Sequence, residues 1–261
     1  MIKKPYKADT PTGTVNRIRN IIATHVLPVK EKSLGDGRDF FSCRIYLSHG
    51  EDSSIGTNGK GMNQEYALAS GYAEFMERFQ NRVIVYPNPA NINSSCRFFP
   101  DEKAYELNHD DAIAAIKKYV PRVLSSTGLC SATLEGVSLP FYHVNSGKVQ
   151  EVPYSLIRWI NGSNGMCAGN IREEALVQGF CEVFERYCIQ EMYKRKIVPP
   201  EVPRSVFDGT KVIERLEDLR NVYGMDYSIK DYSLGEGFPV IGLLLYNKDK
   251  SKYILHLGAD L

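Results

Sequence analysis

The 261-residue chain carries 32 Lys and Arg against 31 Asp and Glu, a formal net charge of +1, and is 43% hydrophobic. Balanced charge with no basic block or acidic tail argues against a polyanion-binding surface, so nucleic acid is not an expected partner. No run approaches the roughly 18 apolar residues of a membrane span, and the start MIKKPYKADTPTG lacks the apolar core of a secretion signal. The six cysteines include no CxxC and the five histidines no HxxxH, so no tetrahedral zinc site is supported, and the expected setting is a reducing cytoplasm with free thiols and no membrane.

In chain order, Thr14 to Thr24 reads as a short helix, and Asp39 to Ser48 (DFFSCRIYLS) has the β-branched and aromatic content of a strand. The polar, glycine-rich segment SHGEDSSIGTNGKGMNQ reads as a loop leading into a helix from about Gln64 to Asn81. Val83 to Tyr86 is a strand candidate, PNPANINSS a loop, and Asp110 to Tyr119 a helix stopped by Pro121. Strands are expected near Leu139 to Val144 and Lys148 to Ile157. A second glycine segment, NGSNGMCAGN, then leads into a helix from Arg172 to about Lys194, ended by Pro199 and Pro200. Lys211 to Asn221 reads as a helix, and Tyr227 to Tyr232, Phe238 to Tyr246 and Tyr253 to Leu257 as strands. The expected fold class is α+β, with helices and strands mixed along the whole chain. The sequence stops at LGADL straight after strands, so the expectation is one domain over 1–261 that lacks its C-terminal part.

The two main helices carry one pattern. ALASGYAEFMERF, from Ala67 to Phe79, returns 108 residues on as ALVQGFCEVFERY, from Ala175 to Tyr187. Each copy has Glu-x-x-Glu-Arg: Glu74, Glu77, Arg78 and Glu182, Glu185, Arg186. At helical spacing the glutamates of a pair lie about 60° apart and about 4.5 Å along the axis, so they form one stripe. Ser70 and Gln178 sit on the same stripes, flanked by small residues: Ala67 and Gly71, Ala175 and Gly179. The large apolar residues fall opposite, Leu68, Tyr72, Phe75, Met76 and Phe79 in one helix and Leu176, Phe180, Val183, Phe184 and Tyr187 in the other. Each helix is therefore expected to bury that apolar face in a core.

A solvated carboxylate stripe explains one such helix well, but not a glycine inside both, which costs about 1 kcal/mol against alanine. Close approach of a ligand or another backbone does explain it. If the stripes face each other, four carboxylates without histidine suit a hard cation, and magnesium commonly bridges carboxylates to phosphates. Asn58-Gly59-Lys60-Gly61 ahead of the first helix offers close backbone approach and a positive charge to a phosphate, although it is no P-loop. Gly165, Gly169 and Asn170 occupy the equivalent place before the second.

TNGKG, then SxxxExxER, then NxxxE, QxxxE and ExxER together resemble the YcaO-domain family, ATP-dependent enzymes that modify peptide backbones; the resemblance covers nearly the whole chain. The family's second signature, Ser-x6-Glu-x3-Gln-x3-Glu-x-x-Glu-Arg, is met by Glu174, Gln178, Glu182, Glu185 and Arg186, with Cys167 where serine is usual. The resemblance implies a YcaO-like ATP-binding fold, duplicated as strand, glycine loop and ExxER helix. It implies Mg2+ on Glu74, Glu77, Glu182 and Glu185, and ATP near Ser70, Arg78, Asn170, Gln178 and Arg186. Lys7 and Thr14 match a Lys-x6-Ser pattern, and Cys167 joins the ATP set as a poorer hydrogen-bond partner than serine.

The implied activity is ATP-dependent phosphorylation of a backbone amide oxygen after attack by a side-chain or sulfide nucleophile, giving an azoline or a thioamide. No side chain is singled out as a catalytic acid or base. Implied partners are a peptide or protein substrate and a peptide-recognition or TfuA-like helper, with a homodimer compatible. Cys167 and the early stop also fit an alternative, a non-catalytic nucleotide-binding scaffold that acts with a partner, and Glu–Arg bracing of the two helices is a purely structural one.

Overall fold

The computed structural model describes residues 7–25, 27–35, 41–48, 55–81, 83–84, 103–105, 136–153 and 162–259. The chain divides into two compact units, one formed by Met1–Ile84 with Asn164–Leu261 and the other by Val85–Ser163.

The larger unit starts with α1 (Pro11–Thr24). Thr10 caps it by accepting a hydrogen bond from the Gly13 amide, and Pro11 takes the first helical position, where no amide hydrogen is needed. Strands β1 (Val29–Leu34), β2 (Phe41–Leu47) and β3 (Gly56–Gly61) form an antiparallel meander in that order. Helix α2 (Gln64–Gln80) follows, capped by the Asn63 side chain on the Tyr66 amide. Val15 and Ile22 of α1, Cys43, Ile45 and Leu47 of β2, and Ala67, Tyr72 and Phe75 of α2 make one buried cluster. The helix and strand periods thus meet on the same core.

Glycine sets how close α2 lies to the sheet. A Cβ on Gly59 would run into the Ala67 carbonyl and the Gly71 amide, and one on Gly71 would lie 2.9 Å from Ile45 and 3.0 Å from the Cys43 thiol. The segment GTNGKG is therefore a strand clamped on the helix, paired with β2 from Phe41↔Gly61 to Tyr46↔Gly56. This corrects the expected loop: pairing with β2 satisfies the backbone of a stretch whose composition reads as irregular.

Helix α3 (Arg172–Arg195), α4 (Lys211–Tyr223) and the antiparallel strands β7 (Met225–Asp231), β8 (Val240–Asn247) and β9 (Tyr253–Ala259) complete this unit. The C-terminal half of α3 packs on that sheet, with Cys188 and Met192 buried beside Tyr232, Val240 and Leu257. The expected apolar face of α3 is not buried. Leu176, Phe180, Val183 and Tyr187 remain 47%, 49%, 49% and 40% exposed; Phe180 stacks on Phe184 of its own helix, and Phe184 stacks in turn on Phe238, with 3.7 Å between ring centroids. The reason is positional: the core that α3 shares with the β7–β9 sheet gathers around Cys188 and Met192, in its C-terminal half.

The smaller unit contains β4 (Lys103–Tyr105), β5 (Gly136–His143) and β6 (Lys148–Pro153), an antiparallel sheet in that order. The last two agree with the expected strands, with β6 described as far as Pro153. The expected helix from Asp110 to Tyr119, the loop PNPANINSS and half of the strand at Val83 to Tyr86 lie outside the described residues; Val83 and Ile84, which are described, form a bend and not the expected strand. Among the described residues the larger unit mixes helices with strands and the smaller contributes a three-stranded sheet, so the α+β class holds. Among the described residues no helix is long and apolar enough to cross a membrane.

Candidate functional site

One cavity of about 1200 Å³ in the larger unit is lined by Lys7, Thr14, Ser70, Glu74, Glu77, Arg78, Cys167, Asn170, Gln178, Glu182, Glu185 and Arg186. The twelve residues that the family resemblance assigns to metal or nucleotide are thereby brought to one space, joined by Lys60, Gly61 and Gly169 of the glycine segments but not by Asn58, Gly59 or Gly165. Helices α2 and α3 supply its acidic walls, α1 and the segment before it a third side, and the glycine segment 164–170 the rim.

The carboxylates are not a solvated stripe. Glu77 is 5% exposed, and Glu74, Glu182 and Glu185 are half-buried. Burial pushes the Glu77 carboxyl up to about 7; Arg78 opposes this, while the Glu74 and Glu182 charges add to it. Glu182 of α3 adds to the field at Glu77 of α2, and the stripes of both helices line the same cavity. Glu185 is also raised, chiefly by burial, with Arg186 and His256 opposing. Burial raises the cost of Glu77 and Glu185 as anions, and a cation relieves it.

At present the arginines of the two motifs do that. Arg78 reaches Glu74 at 3.2 Å and Glu77 at 3.4 Å, and Arg186 reaches Glu182 at 3.7 Å and Glu185 at 3.8 Å. Each helix therefore braces its own glutamates. Among the described residues no three His, Cys, Asp or Glu side chains converge as a metal-ligand set. The donor chemistry still fits a hard cation, being all carboxylate oxygen with no soft ligand at the four positions.

Around the second glycine segment the same approaches recur 108 residues after the first. A Cβ on Gly169 would strike the Ala175 amide, as one on Gly61 would strike that of Ala67, and one on Gly179 would sit 3.0 Å from the Cys167 thiol. The copies also differ. Residues 164–169 form a turn followed by backbone without regular structure, not a strand paired as β3 is. The Gly165 amide donates to Glu182 Oε2 at 3.1 Å, which orients that carboxylate. Cys167 occupies the place where Gly59 touches Gly71. Burial, and next the Glu77 charge, push its thiol up, so it remains a neutral, weak hydrogen-bonding group.

The N-terminal segment is tied to the start of α3. Lys7 Nζ donates to Glu174 Oε1 at 3.1 Å and the Ala8 amide to Oε2 at 3.0 Å. Burial alone would raise Glu174, but these bonds outweigh it and hold the carboxyl below its usual range. Thr14 Oγ1 donates to Asn170 Oδ1 at 3.0 Å, which Arg17 also approaches at 3.4 Å. Lys7, Thr14 and Asn170 thus meet despite their separation in sequence. Glu174, matched in the signature without a role, is the anchor of this contact. Arg17, Lys60 and His256 line the cavity too, and no spacing or composition signal marks Arg17 or His256.

A family model described as YcaO cyclodehydratase, ATP- and Mg2+-binding, matches residues 58–261. The chain belongs to the YcaO family. ATP and Mg2+ are the cofactors of that family, in keeping with a carboxylate-lined cavity rimmed by basic side chains. Among curated relatives, the ribosomal protein S12 methylthiotransferase accessory factor YcaO of Escherichia coli strain K12 is 30% identical over 232 residues, spanning 82% of this chain and 39% of that protein. An uncharacterized protein of Haemophilus influenzae is 29% identical over 219 residues, spanning 78% and 37%. The chain thus spans about two fifths of the length of these YcaO relatives. Two solved structures share the fold at 18% identity. One is a heterocyclase in complex with substrate and cofactor, with a TM-score of 0.69 over 98% of this chain and 38% of the other. The second is YcaO from Methanopyrus kandleri bound with AMPPCP and Mg2+, with a TM-score of 0.63 over 97% and 63%.

Proposed function

We propose that the 1–261 chain acts as one YcaO-like domain that binds Mg-ATP in the cavity between α2 and α3, and that its protein uses it to activate a backbone amide of a peptide or protein substrate. The observation that carries this is the meeting of both ExxER stripes around one cavity, with Glu77 pushed up to about 7 by burial and by its acidic neighbours. In this reading Glu74, Glu77, Glu182 and Glu185 hold Mg2+, while Ser70, Asn170, Gln178, Lys7, Thr14 and Cys167 contact the nucleotide. The recurrence of the same close approaches at an offset of 108 supports an internal duplication, each copy furnishing one wall.

When bound, Mg-ATP supplies a phosphoryl group that turns an amide oxygen, a poor leaving group, into a good one. The protein's own part is positioning and charge neutralisation. Arg78 and Arg186 keep the glutamates aligned and their charge tolerable until a cation replaces them. Glu174 holds Lys7 at the rim, where the ammonium meets polyphosphate charge. The product class is an azoline or a thioamide, and a peptide-recognition or TfuA-like helper would supply selection of the substrate.

Isothermal titration of Mg-ATP into wild type, Glu74→Gln and Glu182→Gln tests the site, with binding expected for wild type and lost in both folded variants. Unchanged nucleotide affinity in both would sink the metal assignment. A second reading, a nucleotide-binding scaffold without catalysis, is favoured by the thiol of Cys167 in a place where the family signature has a hydroxyl. Mg-ATP binding without turnover in the full-length protein, given candidate peptides and any helper, would select it.

A further inference from the structure

Helix α1 turns one face into the cavity. Thr14, Arg17, Ile18 and Ile21 share that face at helical spacing and line the cavity, together with Asp9 from the segment ahead of the helix. The two motif arginines are committed to acids, since Arg78 and Arg186 each reach two glutamates of their own helix. Arg17 sits instead between Asp9 and the second glycine segment. Its Nη2 donates to Asp9 Oδ2 at 2.7 Å, and its Nη1 approaches Asn170 Oδ1 at 3.4 Å. Asn170 Oδ1 also accepts from Thr14 Oγ1 at 3.0 Å, and Asn170 Nδ2 lies 3.4 Å from Glu174 Oε2. Arg17 thereby joins the side chains assigned above to the nucleotide.

Two features mark the Asp9–Arg17 pair as more than a surface ion pair. The chain is shaped around it: the Asp9 carboxylate lies over the first turn of α1, accepting from the Thr10 amide at 2.7 Å, and a Cβ on Gly13 would run into it. Glycine in a helix costs stability against alanine, and here the room it leaves is taken by that carboxylate. The pair itself adds little to stability, because the Arg17 side chain is 53% exposed. What it does fix is direction. It holds a long side chain, with much rotamer freedom to lose, at the cavity wall beside Asn170. Lys7 is held by Glu174 in the same manner, and both pairs meet Asn170.

We propose that Arg17 binds the polyphosphate of the nucleotide and that Asp9 is its positioning residue. This rests on the Mg-ATP reading of the cavity and adds to it a cation that no sequence signal marks. A guanidinium presents its donors in a planar fork that matches phosphate oxygens. Arg17 can turn that fork to a phosphate at small cost, because the approach to Asn170 is longer than an ordinary hydrogen bond and is readily given up. Asp9 keeps the other terminal nitrogen in place, so less freedom is lost when the phosphate arrives.

The test is isothermal titration of Mg-ATP into the full-length protein at low and at raised salt, comparing wild type with Arg17→Gln and Asp9→Asn. The expected result is binding weakened about tenfold in Arg17→Gln and about threefold in Asp9→Asn, with circular dichroism unchanged. Added salt should weaken wild type more than Arg17→Gln, because the variant has lost a screened charge contact. Should Arg17→Gln not fold, Arg17→Lys is read instead, which keeps the charge and loses the fork, with a smaller loss in the same direction. Unchanged Mg-ATP affinity in the Arg17 variant, or a loss of the same size at both salt concentrations, overturns the assignment of Arg17. Asp9→Asn that binds as tightly as wild type, or more tightly, overturns the positioning role of Asp9. Wild-type protein that binds no Mg-ATP refutes the nucleotide reading itself, whereas wild-type binding that the Arg17 variant leaves untouched refutes this inference alone.

Discussion

Replacing Glu77 by Gln, which keeps the shape of the side chain and removes its charge, should make the metal-free protein more stable above neutral pH. Burial and the Glu74 and Glu182 charges raise the Glu77 carboxyl from an ordinary 4.5 to about 7, even with Arg78 3.4 Å away. A carboxyl raised in the folded state binds its proton there more tightly than in the unfolded chain. The folded protein therefore carries no penalty below about pH 4.5, loses stability as pH rises through 7, and bears the full cost above that. At 1.36 kcal/mol per pKa unit, a rise from 4.5 to about 7 corresponds to at most about 3 kcal/mol. Urea unfolding in EDTA without nucleotide measures it. Wild type and Glu77→Gln should nearly coincide at about pH 5, and the variant should gain on wild type by about 1–3 kcal/mol at about pH 8. Saturating Mg-ATP at that pH should narrow the gap, because a cation stabilises only the charged carboxylate. A stability difference that does not change between the two pH values would refute the raised Glu77 carboxyl, and with it the desolvation of that side chain beside the cavity.

Gly179→Ala should lower stability by about 1–3 kcal/mol in a urea titration, because its Cβ would sit 3.0 Å from the Cys167 thiol. Adding Cys167→Ala removes the thiol but leaves the Cys167 Cβ position at 3.2 Å, so it should recover part of that loss; no rescue would mean the thiol is not what the methyl meets. Gly71→Ala, set against Ile45 at 2.9 Å and Cys43 at 3.0 Å, should cost more than Gly179→Ala, since both its neighbours are fully buried. Lys7→Met should weaken Mg-ATP binding about tenfold by titration while leaving the fold, because it removes the cation held at 3.1 Å by Glu174. An unaltered Kd would assign Lys7 to tethering the N-terminal segment only.

Much of the site was legible because helical geometry is local. Once Gln64–Gln80 and Arg172–Arg195 are helices, the spacing of Glu74 and Glu77, or of Glu182 and Glu185, places each pair on one stripe whatever surrounds it. The glycines inside these helices signalled a close approach for the same reason, and the structure supplies β2, β3 and the Cys167 segment as what approaches. The mixture of expected helices and strands along the chain likewise pointed to the α+β class, and the family signature in Glu174, Gln178, Glu182, Glu185 and Arg186 was readable without a fold.

Other facts existed only in three dimensions. GTNGKG reads as a loop because glycine and asparagine disfavour strands, yet β2 supplies a partner ladder and α2 a surface that only glycine can touch. Leu176, Phe180 and Val183 form an apolar stripe in the sequence, but whether a stripe is buried depends on where a sheet lies, and β7–β9 lies under Cys188 and Met192 instead. The tie of Lys7 and Ala8 to Glu174, across more than 160 residues, leaves no local trace. The sequence by itself determined which side chains share a helix face, because that follows from the backbone repeat. Only the tertiary structure decided which faces meet and which carboxylate is desolvated.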